Sequence, residues 1–244
     1  MKNSIKVISG NTLKIIAAVS MLIDHIGMIF FPQIMIFRIL GRLAFPLFAF
    51  MIAEGCKYTK NKLKYLLTIF SLGIVCQIFV LLVTRQLLMN VLITFSLSIC
   101  VCYALENAKK VAFSDTSRTK IVLSVLIPMA LVGAIFFLNS ISRLEYGFIG
   151  CMLPPLASLP SAPPTAPPSL KRLDTLLART LVMGLGLLLF CITADTYIQY
   201  FSLAALPLLF FYSEKRGRLR LKYFFYIFYP AHLLILYGIL ILTL

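Results

Sequence analysis

Apolar stretches of roughly 17 to 22 residues recur along this chain from residue 13 almost to its last residue, and they constrain it more than any motif does. About 20 such residues, rising 1.5 Å each, match the hydrocarbon thickness of a bilayer. Backbone N–H and C=O groups inside lipid must be satisfied within the segment, so each run predicts a helix. The expectation is an all-α fold, a polytopic transmembrane helical bundle of about nine spans, near 13–31, 36–53, 64–83, 91–106, 121–139, 145–160, 180–195, 199–213 and 223–243. Pro154, Pro155 and Pro160 in the sixth run and Pro207 in the eighth predict kinked or partly re-entrant passages there. Of 244 residues 61% are hydrophobic and 13% charged, about half the charge of a soluble domain, which excludes a soluble single domain. The apolar character runs the whole length, so a single anchor with a soluble head is excluded too. Residues 1–12 are polar, with Lys2 and Lys6, and the run after them carries an Asp-His pair, so it is expected to be a first span and not a cleaved signal peptide.

Charge placement supplies an independent reading of topology, because cytoplasmic loops retain Lys and Arg. With the N-terminus cytoplasmic, all of the 23 basic residues except Arg38, Arg42, Arg85 and Arg143 fall on the inner side, among them Arg179 at the end of an amphipathic surface stretch beginning at Lys171. The net charge of +15 is thereby explained without nucleic acid as a partner. The chain is expected to form a single transmembrane domain over residues 1–244. Five prolines between Leu159 and Leu170 predict an extended cytoplasmic linker there. The six cysteines lie mostly in apolar runs with no CxxC spacing; they indicate neither a metal site nor a disulfide framework.

Within hydrocarbon an ionisable side chain costs about 2.5–3.5 kcal/mol or more at the bilayer centre unless paired, so each one is a functional candidate. Those that qualify are Asp24 and His25 in the first span, Arg38 and Arg42 in the second, and His232, just after Tyr229 and Pro230, in the ninth. The first helix runs outward and the second inward, which sets Asp24, His25, Arg38 and Arg42 at matching heights in the outer half of the bilayer. Arg38 and Arg42 are four apart and share a helix face. Consecutive residues point about 100° apart, so Asp24 is expected to pair with an arginine while His25 faces a cavity. Two readings stay open for Asp24, Arg38 and Arg42: a buried ion-pair staple between two helices, or part of a site. Histidine beside charged groups titrates near neutrality, which favours His25 as a base or ligand. For His232 a structural role and a place in the site weigh equally. Gln77, Asn90, Thr94 and Tyr146 either line the same cavity or cross-link helices. Glu54 with the lysines at 57–64, and the run from Lys215 to Lys222, are either a cytoplasmic anion-binding surface or the ordinary positive-inside signal. No P-loop, GxGxxG, HExxH or GxSxG motif is present.

Three segments, LKIIAAVSMLIDHIG (13–27), FRILGRLAFPLFAFMIAEG (37–55) and EKRGRLRLKYFFYIFYPAHLLIL (214–236), with the weaker YGFIGCMLP (146–154), resemble the TraX family over essentially the whole chain. That family is named for the conjugation protein that acetylates the N-terminus of F pilin. It is distantly similar to integral membrane acyltransferases of the acyltransferase-3 and heparan-glucosaminide N-acetyltransferase-like groups, which use an intramembrane histidine and cytoplasmic acetyl-CoA. The resemblance implies His25 as catalytic base with Asp24 in support, Arg38 and Arg42 in the site, and Tyr229 and His232 in the C-terminal motif beside it.

The expectation is therefore an acetyltransferase of the bacterial inner membrane, with acetyl-CoA as acyl donor and a pilin-like N-terminus, glycan or lipid as acceptor. The rival reading is a proton-coupled transporter or flippase with a relay through Asp24, His25 and His232.

Overall fold

The computed structural model describes residues 7–85, 88–114, 117–194, 196–219 and 221–243. Lys2, Lys6 and Arg220, counted above among the inner charges, lie outside them. The described residues are predominantly helical, and no strand occurs among them. In order come α1 (Gly10–Phe30), α2 (Met35–Gly41), α3 (Ala44–Tyr58), α4 (Lys62–Thr84), α5 (Val91–Ser114), α6 (Arg118–Ile141), α7 (Gly147–Ser158), the single turn α8 (Pro168–Lys171), α9 (Leu176–Thr193), a 3-10 helix (Tyr197–Ala204), α10 (Ala205–Phe210) and α11 (Lys222–Thr243). Among the described residues seven stretches are long and apolar enough to cross a membrane, with α2 and α3 counting as one from Met35 to Tyr58. They coincide with the first five, the seventh and the ninth of the runs expected from sequence.

The sixth and eighth runs fold as shorter apolar helices, Gly147–Ser158 and Tyr197–Phe210. Proline is the reason in the sixth: Pro154 and Pro155 lie inside the 12 residues of α7 and remove two N–H donors. The carbonyl of Cys151, which residue 155 would otherwise serve, accepts from Ser98 Oγ at 2.7 Å. In the eighth run the 3-10 helix rises about 2.0 Å per residue, so its 8 residues and the 6 of α10 extend about 25 Å in all. The expected extended linker is a series of turns, closed by Ser161 N to Ser158 O and Ala166 N to Pro163 O, that ends in α8.

The chain gathers into two compact units, Met1–Met51 with Leu187–Leu244, and Ile52–Gly186. In the first, α1 packs against α2 and α11, and α2 against the 3-10 helix. In the second, α5 is central and packs against α4, α6 and α7. Along α6 the large apolar side chains point outward, Met129 63% and Phe137 66% exposed, as expected of a helix that faces lipid.

At one end of the second unit several lysines are tied to neighbouring groups. Lys57 pairs with Asp174 at 3.0 Å, Glu106 binds Lys62 and Lys110, and Lys109 Nζ donates to the carbonyls of Ser158, Leu159 and Ser161. At the other end Met89 exchanges backbone bonds with Arg143 and Glu145. Arg179 departs from the expectation of a surface residue: it is 1% exposed, paired with Glu54 of α3, and its Nε donates to Ala157 O at 3.3 Å. A carboxylate contributed from 125 positions earlier in the chain makes its burial tolerable.

Candidate functional site

In the first unit α1 and α2 are joined by the short turn 31–34 and pack backbone to backbone. A Cβ placed on Gly27 would lie 2.2 Å from Phe37 Cβ, and one on Gly41 2.3 Å from Asp24 Cβ. Two glycines therefore set the approach, as small residues do between helices in lipid.

That approach brings Asp24 between the two arginines. Its Oδ1 accepts from Arg42 Nη2 at 2.7 Å and its Oδ2 lies 2.9 Å from Arg38 Nη1. Arg42 is further fixed by Nε donating to Arg38 O at 3.1 Å and by Nη1 donating to Gln199 Oε1 at 3.4 Å. Two guanidinium groups on one carboxylate leave this trio net positive. Such a pair is charge-assisted and strongly oriented, since both partners are mostly withdrawn from solvent.

His25 lies on the neighbouring face of α1, as the helical angle predicts. Its Nδ1 is 2.8 Å from Met21 O. A carbonyl only accepts, so Nδ1 carries the proton and Nε2 of the neutral ring carries the free lone pair. His232 of α11 repeats the arrangement: Nδ1 lies 2.9 Å from Phe228 O, four residues earlier. The two rings meet edge to face with centroids 5.0 Å apart. Phe228 stacks on His232 at 5.2 Å, and Tyr229 meets it edge-on at 5.5 Å. Thus all six residues singled out from the sequence, Asp24, His25, Arg38, Arg42, Tyr229 and His232, fall into one connected group.

Gln199 joins them without having been singled out. Its Oε1 faces a guanidinium that only donates, so the amide Nε2 points the other way. Gln199 is 5% exposed, and neither its Nε2 nor His232 Nε2 has a hydrogen-bond partner among the described residues. Buried polar atoms without partners cost about 1–3 kcal/mol each, so these two are candidate contacts for a water or a ligand. The available signal was a glutamine inside an apolar run.

Gln77, Asn90, Thr94 and Tyr146 belong to the second unit and form a separate arrangement. Asn90 Nδ2 donates to Gly73 O and to Gln77 Oε1, and Thr94 Oγ1 donates to Glu145 O at 3.1 Å. Tyr146 is the left-handed residue that precedes α7. These contacts cap helices and cross-link them, the second of the two roles open from the sequence.

The sequence profile of the family described as TraX protein matches residues 9–240. A protein of Rickettsia prowazekii (strain Madrid E), named only as uncharacterized, is 35% identical over 97 residues, 39% of this chain and 37% of that protein. The chain thus spans little more than a third of the length of that curated relative. No solved structure matches.

Proposed function

Because the chain belongs to the TraX family, the family named for the F-pilin acetylation protein, we propose that it is a multi-pass acetyltransferase of the bacterial inner membrane. Its N-terminus is cytoplasmic, its acyl donor is acetyl-CoA, and its acceptor is an amine or hydroxyl presented from the membrane or its outer side. A pilin-like N-terminus, a glycan and a lipid all have that chemistry. The observation that supports the reading best is the His25 ring, oriented by Nδ1 on Met21 O, edge to face with His232 and next to the Asp24–Arg38–Arg42 trio.

In this mechanism the acceptor nitrogen or oxygen attacks the thioester carbonyl carbon while His25 Nε2 takes its proton. The new C–N or C–O bond forms, negative charge collects on the former carbonyl oxygen, and collapse breaks the C–S bond. The CoA sulfur leaves as thiolate and recovers the proton from His25, which regenerates the neutral ring. Charge on the tetrahedral oxygen is met by a fixed donor, Gln199 Nε2, and by the positive field of Arg38 and Arg42. His232 packs edge to face on the His25 ring, and Tyr229 packs in turn on His232.

Thermal melting of the purified protein in detergent with acetyl-CoA, CoA or buffer tests the reading first. A ligand at a hundred times its Kd stabilises by about 2.7 kcal/mol, so acetyl-CoA and CoA are expected to raise the melting temperature by several degrees. The same preparation in liposomes is expected to release CoA from acetyl-CoA, and His25→Ala is expected not to. No shift at millimolar ligand in a folded sample overturns the proposal. Ion or solute movement driven by a pH gradient, without acetyl-CoA, puts the transporter in its place.

A further inference from the structure

The basic run after α10 is not a free loop. Its carbonyls turn inward onto the first turn of α1: Lys215 O accepts from Gly10 N at 2.8 Å, Arg216 O from Asn11 N at 3.0 Å, and Leu219 O from Asn11 Nδ2 at 2.5 Å. Ser213 N donates to Ile8 O and Ile8 N to Phe211 O, extending the contact on its N-terminal side. Gly217 has φ +94, and a Cβ there would lie 2.7 Å from Ser9 Oγ, so the turn demands glycine. With its carbonyls spent on α1, the run presents Lys215, Arg216 and Arg218 outward, all exposed. Topology signalling requires positive charge on one side of the membrane, but it does not require that charge to be clamped in one conformation.

The clamp has a second consequence. Both α1 and α11 start from this loop, run in the same direction and meet again at His25 and His232. Lys14 Nζ lies 5.9 Å from the centre of the Phe225 ring between those two levels. From Gly10 to His25 is 15 residues, about 22 Å along the helix, and from Lys222 to His232 is 10, about 15 Å.

We infer that Lys215, Arg216 and Arg218 form the docking site for the phosphates of the acyl donor. A donor gripped here and reacting at the histidines must carry its acyl group at the end of a long arm, remote from its phosphates. That geometry fits a nucleotide-linked phosphopantetheine thioester and excludes acetyl phosphate, whose acyl carbon is bonded directly to the phosphate oxygen. The inference rests on the acetyltransferase reading and locates the donor within it. A clamped backbone keeps the three cations close together, so less chain freedom is lost when the phosphates arrive than on a mobile loop.

The test uses the full chain in nanodiscs of zwitterionic lipid and compares wild type with Lys215→Gln/Arg216→Gln/Arg218→Gln. Acetyl-CoA, adenosine 3′,5′-bisphosphate and S-acetyl-N-acetylcysteamine, the thioester arm without phosphates, serve as probes. The triple variant is expected to melt as wild type does without ligand, because its side chains are exposed. It is expected to bind acetyl-CoA and the bisphosphate at least tenfold more weakly and the truncated thioester equally well. Gly217→Val, which opens the turn while keeping every charge, is expected to weaken acetyl-CoA binding in the same direction. Unchanged acetyl-CoA affinity in the triple variant overturns the inference while leaving the acetyltransferase standing. Absence of acetyl-CoA binding in wild type overturns both. Loss confined to phosphatidylglycerol vesicles, with acetyl-CoA binding intact, assigns the loop to anionic lipid instead and also overturns it.

Discussion

Gly41 sits directly on Asp24: a Cβ at position 41 would lie 2.3 Å from both the Cβ and the Oδ1 of the aspartate. The glycine is what lets α2 come close enough for Arg38 and Arg42 to reach one carboxylate. Gly41→Ala must move backbone against backbone, and overpacking of this kind costs about 1–3 kcal/mol. Gly133→Ala in α6, where nothing lies within 4 Å, is the control and is expected to be neutral or stabilising by up to about 1 kcal/mol. Thermal melts of both variants in one detergent decide it, and equal melting temperatures would refute the close-packing account.

Asp24 is shared by two cations, so its removal is expected to cost more than removal of the whole arrangement. Taking one member from a buried pair strands a charge, at about 3–5 kcal/mol, whereas replacing both partners by apolar groups is often close to neutral. Asp24→Leu is therefore expected to be less stable than Asp24→Leu/Arg38→Leu/Arg42→Leu. Denaturant or thermal melts in detergent measure the order. If the single variant is the more stable, the trio is not energetically coupled.

Under the proposed acetyltransferase mechanism, substitutions at Gln199 and His25 are expected to separate binding from chemistry. Neither is placed at the basic loop, so acetyl-CoA affinity is expected to survive in Gln199→Leu and His25→Ala. Turnover is expected to fall by about 10² to 10³ in the first, the scale of a lost oxyanion donor. In the second it is expected to fall by about 10² to 10⁴, the scale of a lost general base. CoA release with saturating acetyl-CoA reads both. A Gln199→Leu enzyme with raised KM and unchanged kcat would make Gln199 a binding residue only.

Much of this was legible in the sequence because lipid removes choices. An unpaired charge is costly in hydrocarbon, so Asp24, Arg38 and Arg42 announced each other, and the helical angle separated His25 from Asp24 correctly. Tertiary partners were not legible in the same way. The sequence leaves the partner of His232 open, and only the packing of α11 sets its ring 5.0 Å from that of His25. Arg179 was assigned to a surface by its neighbours in sequence, when the residue that decides its place is Glu54, far earlier in the chain. In the eighth run Pro207 predicts a kinked or partly re-entrant passage. A 3-10 rise lengthens it, and periodicity does not disclose that rise. Gln199 lies in that run, which is why its tie to Arg42 was missed.

Ser98 and Pro155 offer a compensating pair in the second unit. Pro155 cannot donate to Cys151 O, and Ser98 Oγ does so from α5 at 2.7 Å. Ser98→Ala leaves that carbonyl buried without its cross-helix donor, and is expected to destabilise by about 1–3 kcal/mol. Adding Pro155→Ala restores a backbone N–H at the position from which α7 itself can serve residue 151, so the double variant is expected to recover most of the loss. Both substitutions sit within the packed segment 98–155, where neighbouring changes couple and a double-mutant cycle reads the coupling directly. Additive losses in the cycle would mean that Ser98 supports α7 through packing alone and that the proline is sustained by some other contact.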